Sequence, residues 1–265
     1  GAQEAVSGLQ RELSLEELLD AIHMPEEVAA CVRQAGDDGK AAPLSPGLRM
    51  LAVMLHGART RTWREYRARG IGREVFFATM GCFSRFVGEH YASTGRYDFD
   101  RGFWTPRQLS LRIFRLGTLE YELTDSGALS VHIPSDADLS REALRDSYED
   151  MKEFMSRFFP DYAQAQLECE SWLLSPALRS LLPETSKILI FQSAFVITEQ
   201  DPEAADYLEW VYGMTPAQQE SMQKNLGEEE LAALPDKTSL QRAMKEYLLN
   251  GGKVGTATGV LQESW

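Results

Sequence analysis

Cysteine is scarce in this chain: Cys31, Cys82 and Cys169 are three in number and far apart. An odd, scattered set argues against a disulfide framework and for a reducing compartment. Histidine is nearly as scarce, at four. No Cys-x-x-Cys or His-x-x-x-His spacing occurs, so no metal site is expected. No apolar run approaches the roughly 20 residues needed to cross a bilayer. The opening GAQEAVSGLQRELS lacks the charged head and apolar centre of a secretory signal. A cytoplasmic protein without a membrane partner is the expectation. Net positive charge is missing too, since a formal −13 opposes the approach of nucleic acid or anionic membrane. No segment repeats with a period of about 20 to 50 residues, which argues against a solenoid.

What is present is an ordinary globular composition, 43% hydrophobic and 25% charged over 265 residues. That length suffices for one large or two modest domains. The first hundred or so residues read as helical. Leu15, Leu18, Leu19 and Ile22 recur at helical spacing, and Ser14 with Glu17 forms a capping-box pattern. Pro25 opens a second helix, and GDDGKAAPLSPG reads as a loop. From Pro46 the helical pattern resumes through Leu48, Leu51, Ala52, Leu55 and Ala58. A run of six arginines, Arg59 to Arg73, is interrupted by Trp63 and Tyr66. It reads as a solvated helix face or as a patch for phosphate, nucleic acid or an acidic surface. One further helix is expected over 74–95, burying Val75, Phe76, Thr79, Phe83, Phe86, Val87 and Tyr91.

Beyond Tyr97 the pattern changes period. Leu119, Tyr121 and Leu123 alternate with polar residues, as do Leu129, Val131 and Ile133, with Asp125-Ser126-Gly127 as a hairpin turn between them. An amphipathic helix follows from Ser140 to Phe158, and QLECESWLL reads as the next strand. KILIFQSAFVIT has the look of a strand covered on both faces. SLQRAMKEYLL reads as a final helix and GGKVGTATGVL as a Gly-rich strand or hairpin. TPAQQESMQKNLGEEELAALPDKT is either helical or a connection. The fold class is α+β.

Four strings carry a family resemblance: FRLGTLEYEL (Phe114 to Leu123), VHIPSDADLS (Val131 to Ser140), ECESWLLSPALRSLLP (Glu168 to Pro183) and KILIFQ (Lys187 to Gln192). With them the chain resembles bacterial proteins that carry a GNAT-like C-terminal domain behind a helical N-acyltransferase N-terminal domain. The resemblance implies a helical domain over 1–109. It implies a GNAT-like domain over 110–265, a mixed, mostly antiparallel sheet flanked by helices. It also implies transfer of an acyl group from acetyl-CoA or another acyl-CoA to an amine, with a small-molecule donor and acceptor as partners. A GNAT fold usually holds the cofactor pyrophosphate on a Q/R-x-x-G-x-G/A loop between a strand and a helix. The matching loop here, Pro134 to Leu139, has no glycine and two carboxylates. Its backbone N–H groups can still face a phosphate, which makes Ile133, Ser135, Asp136, Ala137 and Ser140 the cofactor-binding candidates. The plainer reading has Asp138 or Ser140 capping the helix.

Amide formation from a thioester needs a base for the amine and an acid for the leaving thiolate. Glu120, Glu122, His132, Glu168 and Glu170 lie on expected strands, and alternation puts Glu168 and Glu170 on one face. Glu170, His132 and Tyr212 are the catalytic candidates, and adjacent strands splaying beside residues 133–140 would leave a slot for the pantetheine arm. Cys169 points the other way, toward a core, and reads as an inert thiol. The second reading is a catalytically silent GNAT-like module that binds a metabolite or a protein partner.

Overall fold

The computed structural model describes residues 12–36 and 43–262. The opening segment and half of the expected GDDGKAAPLSPG loop, residues 37–42, lie outside them. The chain divides into two compact units. One comprises Gly1–Leu116, Glu120–Leu123 and Phe154–Pro160; the other comprises Gly117–Leu119, Thr124–Glu153 and Asp161–Trp265.

The first unit opens with α1 (Leu15–Ala21) and α2 (Glu26–Ala35). The Ser14–Glu17 capping box forms in both directions, at 3.1 Å each way. Next, α3 (Pro46–Gly57) is capped by Ser45, whose hydroxyl accepts from the Leu48 amide. The helix widens to a π turn at Ala58–Thr62 and runs on as α4 (Trp63–Arg69). Trp63 and Tyr66 are fully buried. With Phe76, Phe114, Phe154 and Phe159 they make the aromatic core, ring centroids 4.8 to 5.9 Å apart. The arginine run therefore offers no aromatic platform to a nucleic acid. Instead of one helix over 74–95 there are two, α5 (Arg73–Met80) and α6 (Cys82–Thr94), parted at Gly81. Tyr91, expected in the core, is 46% exposed and stacks on Tyr97.

A buried ionic network ties this unit together. The Arg85 guanidinium donates to Glu120 at 2.9 Å and lies 3.7 Å from Glu89. Arg101 sits beside Glu89 and Asp100, and His90 meets Asp100 at 3.0 Å. Arg85 and Arg101 both lie over the Phe86 ring. After the short α7 (Pro106–Leu109) the strands begin.

The sheet has six strands in the order β1-β2-β3-β4-β6-β5. The stretch expected as one extended segment is two strands, β1 (Ile113–Leu116) and β2 (Leu119–Leu123). They turn at Gly117, where φ is +61° and an added Cβ would come within 3.0 Å of the Ser147 backbone, so a side chain there would be strained. The turn at Asp125-Ser126-Gly127 forms, with the Thr124 amide donating to the Ala128 carbonyl at 3.1 Å. It leads into β3 (Leu129–His132). Then α8 (Arg141–Phe158) crosses over to β4 (Leu167–Ser171), which runs parallel to β3.

After the short α9 (Leu178–Leu181), KILIFQSAFVIT is not one strand. Its first half is α10 (Lys187–Ser193), because Ser186 caps it by accepting from the Ile188 amide; β5 (Phe195–Asp201) takes the rest. Four helices follow: α11 (Tyr207–Tyr212), α12 (Pro216–Lys224), α13 (Glu228–Ala233) and α14 (Ser239–Leu249). The polar tract after Thr215 is thus helical, and Thr215 and Thr238 each close a capping box. These helices share an apolar cluster of Leu178, Ala205, Leu208, Leu234, Met244 and Leu248. The final strand β6 (Thr256–Leu261) lies between β4 and β5, antiparallel to both.

Candidate functional site

The site is built on the β3–β4 pair. Its register runs Leu129↔Leu167 and Ser130↔Glu168, and the ladder between the two strands goes no further among the described residues. β4 carries on to Ser171 in register with β6 alone, Cys169 facing Gly259, Glu170 facing Thr258 and Ser171 facing Ala257. The β3–β4 pairing thus ends ahead of residues 133–140, the place where a slot for a pantetheine arm would have to open.

Side-chain alternation sorts the two faces. Leu129, Val131, Leu167 and Cys169 are buried on one face. Ser130, His132 and Glu168 are half-buried on the other, with Glu170 exposed beside them. His132 and Glu170 therefore share the accessible face, at the ends of adjacent strands. Burial, and next the Glu170 charge, push the Cys169 thiol far up, so it is a core thiol and no nucleophile.

One group that the sequence did not single out joins them. Asp206, just before α11, keeps solvent contact, yet the atoms crowded around its carboxyl raise it above the ordinary carboxylate range. The charges of Glu170 and Asp201 add to that rise. Glu170, Asp201 and Asp206 thus form a carboxylate cluster at the end of the accessible face. Glu120 and Glu122 are committed elsewhere, to Arg85 at 2.9 Å and Arg107 at 3.5 Å. Tyr212 lies in the apolar cluster under α14, where its hydroxyl donates to the Gln241 carbonyl at 3.2 Å. Burial and then Tyr207 drive its pKa well up.

The loop of cofactor-binding candidates runs from Ile133 to the start of α8. The Ala137 amide donates to the Pro134 carbonyl, and the Ser140 hydroxyl caps the helix by accepting from the Ala143 amide at 3.4 Å. Asp138 braces that cap, accepting from the Ser140 amide at 3.0 Å and hydroxyl at 2.9 Å. Lys187 Nζ closes on Asp138 at 2.7 Å. The ammonium neutralises one of the two carboxylates that made the loop look hostile to phosphate. It also sets a second cation near the helix start, where Arg141 opens α8.

Lys187 first, then the Ser140 amide and hydroxyl, hold the Asp138 carboxyl down to about 2 from an ordinary 3.8. A carboxyl lowered in the fold adds stability above its unfolded value and loses it as pH falls through the folded one. The Lys187–Asp138 contact is therefore expected to hold through the window from pH 3.8 down to about 2. An NMR titration of the Asp138 side-chain carbon should show that low midpoint, moving upward in Lys187→Ala. An unmoved midpoint rejects the pairing. Among the described residues no group of acidic, Cys or His side chains is arranged to hold a metal ion. No helix among them is long and apolar enough to cross a membrane.

Comparison with known proteins bears on the same elements. Residues 113–261 match the family model for the GNAT-like C-terminal domain, and residues 34–111 match that for the N-acyltransferase N-terminal domain. No curated protein sequence matches. Among solved structures, an acyltransferase in complex with decanoyl-CoA and teicoplanin superposes with a TM-score of 0.74 at 24% identity, covering 93% of this chain and 87% of that one. An acyltransferase in complex with CoA and 10C-teicoplanin gives 0.75 at 24% identity, over 95% and 88%. Another with decanoyl-CoA gives 0.72 at 21% identity, over 98% and 94%. At these identities the likeness establishes the fold.

Proposed function

Because the chain belongs to the family defined by the GNAT-like C-terminal domain, with an N-acyltransferase domain ahead of it, we propose that it moves an acyl group from acyl-coenzyme A to an amine of a small-molecule acceptor. The observation that carries this reading is that the β3–β4 ladder stops after Ser130↔Glu168, ahead of the loop and the start of α8. A slot between the strand ends there would offer backbone groups to the amides of a pantetheine arm. The acyltransferase structures bound to decanoyl-CoA and CoA support the same donor.

In this reading the pyrophosphate sits at the start of α8, an 18-residue helix whose first-turn N–H groups favour an anion. Arg141 adds positive charge there, and Lys187 offsets the charge of Asp138. Glu170, with Asp206 behind it, takes the proton as the acceptor nitrogen attacks the thioester carbonyl. The C–N bond forms, the C–S bond breaks, and the thiolate leaves with a proton. His132, on the Glu170 face, is the group placed to supply that proton. Tyr212, held by the Gln241 carbonyl, takes no part.

Saturating coenzyme A or octanoyl-CoA should raise the melting temperature, since a ligand at 100 times its Kd adds about 2.7 kcal/mol to the native state. The same acyl-CoA with a panel of amines should release free thiol. Neither a thermal shift nor thiol release at millimolar donor, for any chain length from acetyl to decanoyl, would sink the proposal.

A further inference from the structure

The sheet face that carries His132 and Glu170 continues beyond β4. Residues paired across a ladder point the same way, so Glu168↔Val260 and Glu170↔Thr258 bring Val260 and Thr258 of β6 onto that face. The β5 register Val196↔Val260, Glu199↔Thr258 and Asp201↔Thr256 carries it on to the sheet edge. Cys169, Gly259 and Ile197 make the matching row on the opposite face, where Gly259 packs near Leu174. Val196 is 53% exposed, and Glu199 and Asp201 are exposed too, so the acidic face stays open out to its edge.

That face is acidic on both sides of an uncharged centre. Glu168 and Glu170 stand on β4, Glu199 and Asp201 on β5, and β6 between them supplies Thr258 and Val260. Two strand spacings set the acidic rows roughly 10 Å apart. None of the four carboxylates pairs with a basic side chain among the described residues. Asp206 registers the crowding, since burial and then the charges of Glu170 and Asp201 raise it. Acidic residues alone specify no ligand. Here, however, acyl transfer independently requires a nitrogen at Glu170, and an alkylamine is a cation in neutral water. An acceptor with one amino group answers the β4 row and leaves the β5 row unanswered.

Resting on the acyl-transfer reading of this face, we infer that the acceptor is an aliphatic diamine or polyamine. One amino group lies at Glu170 for acylation, and a second, still charged, lies at Glu199 and Asp201. The methylene chain between them crosses β6 over Thr258 and Val260. Acylation turns the first nitrogen into a neutral amide, so the product keeps one ionic anchor and binds more weakly than the substrate. Glu199 and Asp201 set acceptor specificity without touching the reacting atoms.

The test is calorimetric titration of the whole chain with cadaverine, pentylamine and 5-aminovalerate, which share a chain length and end in a cation, a neutral methyl and an anion. Cadaverine is expected to bind about fivefold more tightly than pentylamine, the worth of a well-placed exposed ion pair, and 5-aminovalerate the most weakly. The double variant Glu199→Gln, Asp201→Asn should bring cadaverine down to pentylamine and leave pentylamine nearly unchanged. Both side chains are exposed, so its melting temperature should hold. Glu228→Gln with Glu229→Gln, exposed on α13, removes the same charge elsewhere and should keep the preference. The inference is overturned if cadaverine does not bind, binds no better than pentylamine, keeps its advantage without Glu199 and Asp201, or loses it in the α13 variant. Thiol release from octanoyl-CoA with the same amines reports on the reaction itself. Release without a diamine preference sinks only this inference, and a preference without release sinks only the transfer reading.

Discussion

Replacing Glu170 with glutamine is expected to lower kcat by about a hundredfold or more, the usual worth of a general base, and to leave the melting temperature nearly unchanged. The two outcomes separate because of where Glu170 lies. It sits exposed on β4 opposite Thr258, so glutamine keeps its shape and its backbone pairing and loses only proton-accepting power. The Asp206 carboxyl gives an internal check. Part of its upward displacement comes from the Glu170 charge, so Glu170→Gln should lower the Asp206 midpoint. Asp206→Asn should cost less than Glu170→Gln, since Asp206 acts through its neighbour. Thiol release under saturating donor, with a thermal melt on the same samples, measures both. Parental kcat in Glu170→Gln would remove it from the mechanism.

Arg85→Met is expected to destabilise the fold by about 3–5 kcal/mol, the cost of leaving a buried charge without its partner. Glu120 is only 3% exposed and accepts from Arg85 at 2.9 Å. Burial by itself would weaken the guanidinium's hold on its proton, but Glu120, Cys82 and Glu89 together more than offset this, so Arg85 stays charged. Removing it strands a carboxylate in the core beside Cys82, a thiol already pushed up by burial and by that same carboxylate. Glu120→Gln keeps a hydrogen-bonding group and should cost less. The double variant should cost less than the sum of the two, because the residues touch. Denaturant unfolding of the three variants measures this, and strict additivity would show that the pair is not coupled.

Local signals were legible in the chain and long-range ones were not. The Ser14–Glu17 box and the period-two segments at Leu119 and Leu129 declare themselves within a few residues, because caps and pleats are short-range physics. KILIFQSAFVIT misleads because an apolar β-branched run suits a buried strand as well as a buried helix turn. Ser186 decides between them. Glu120 and Glu122 look like a paired surface on alternation alone, and only the fold brings Arg85 and Arg107 to them. For the site, His132 and Glu170 on one face follow from counting residues along two strands. Asp206 does not, since its chemistry exists only once β4, β6 and β5 are in register. The acidic loop looked unfit for phosphate for the same reason: Lys187, far along the chain, neutralises Asp138 only in the folded state.

The position of β6 has a kinetic meaning. Residues 256–261 fill the gap between strands at 167–171 and 195–201, with every helix from α11 to α14 lying between them in the chain. Closing so long a loop is slow compared with forming those helices. Until it closes, β4 has one bare edge and β5 has none of its sheet partners. Any state in which β6 has not yet docked leaves open strand edges beside the helical cluster, and such edges are templates for aggregation.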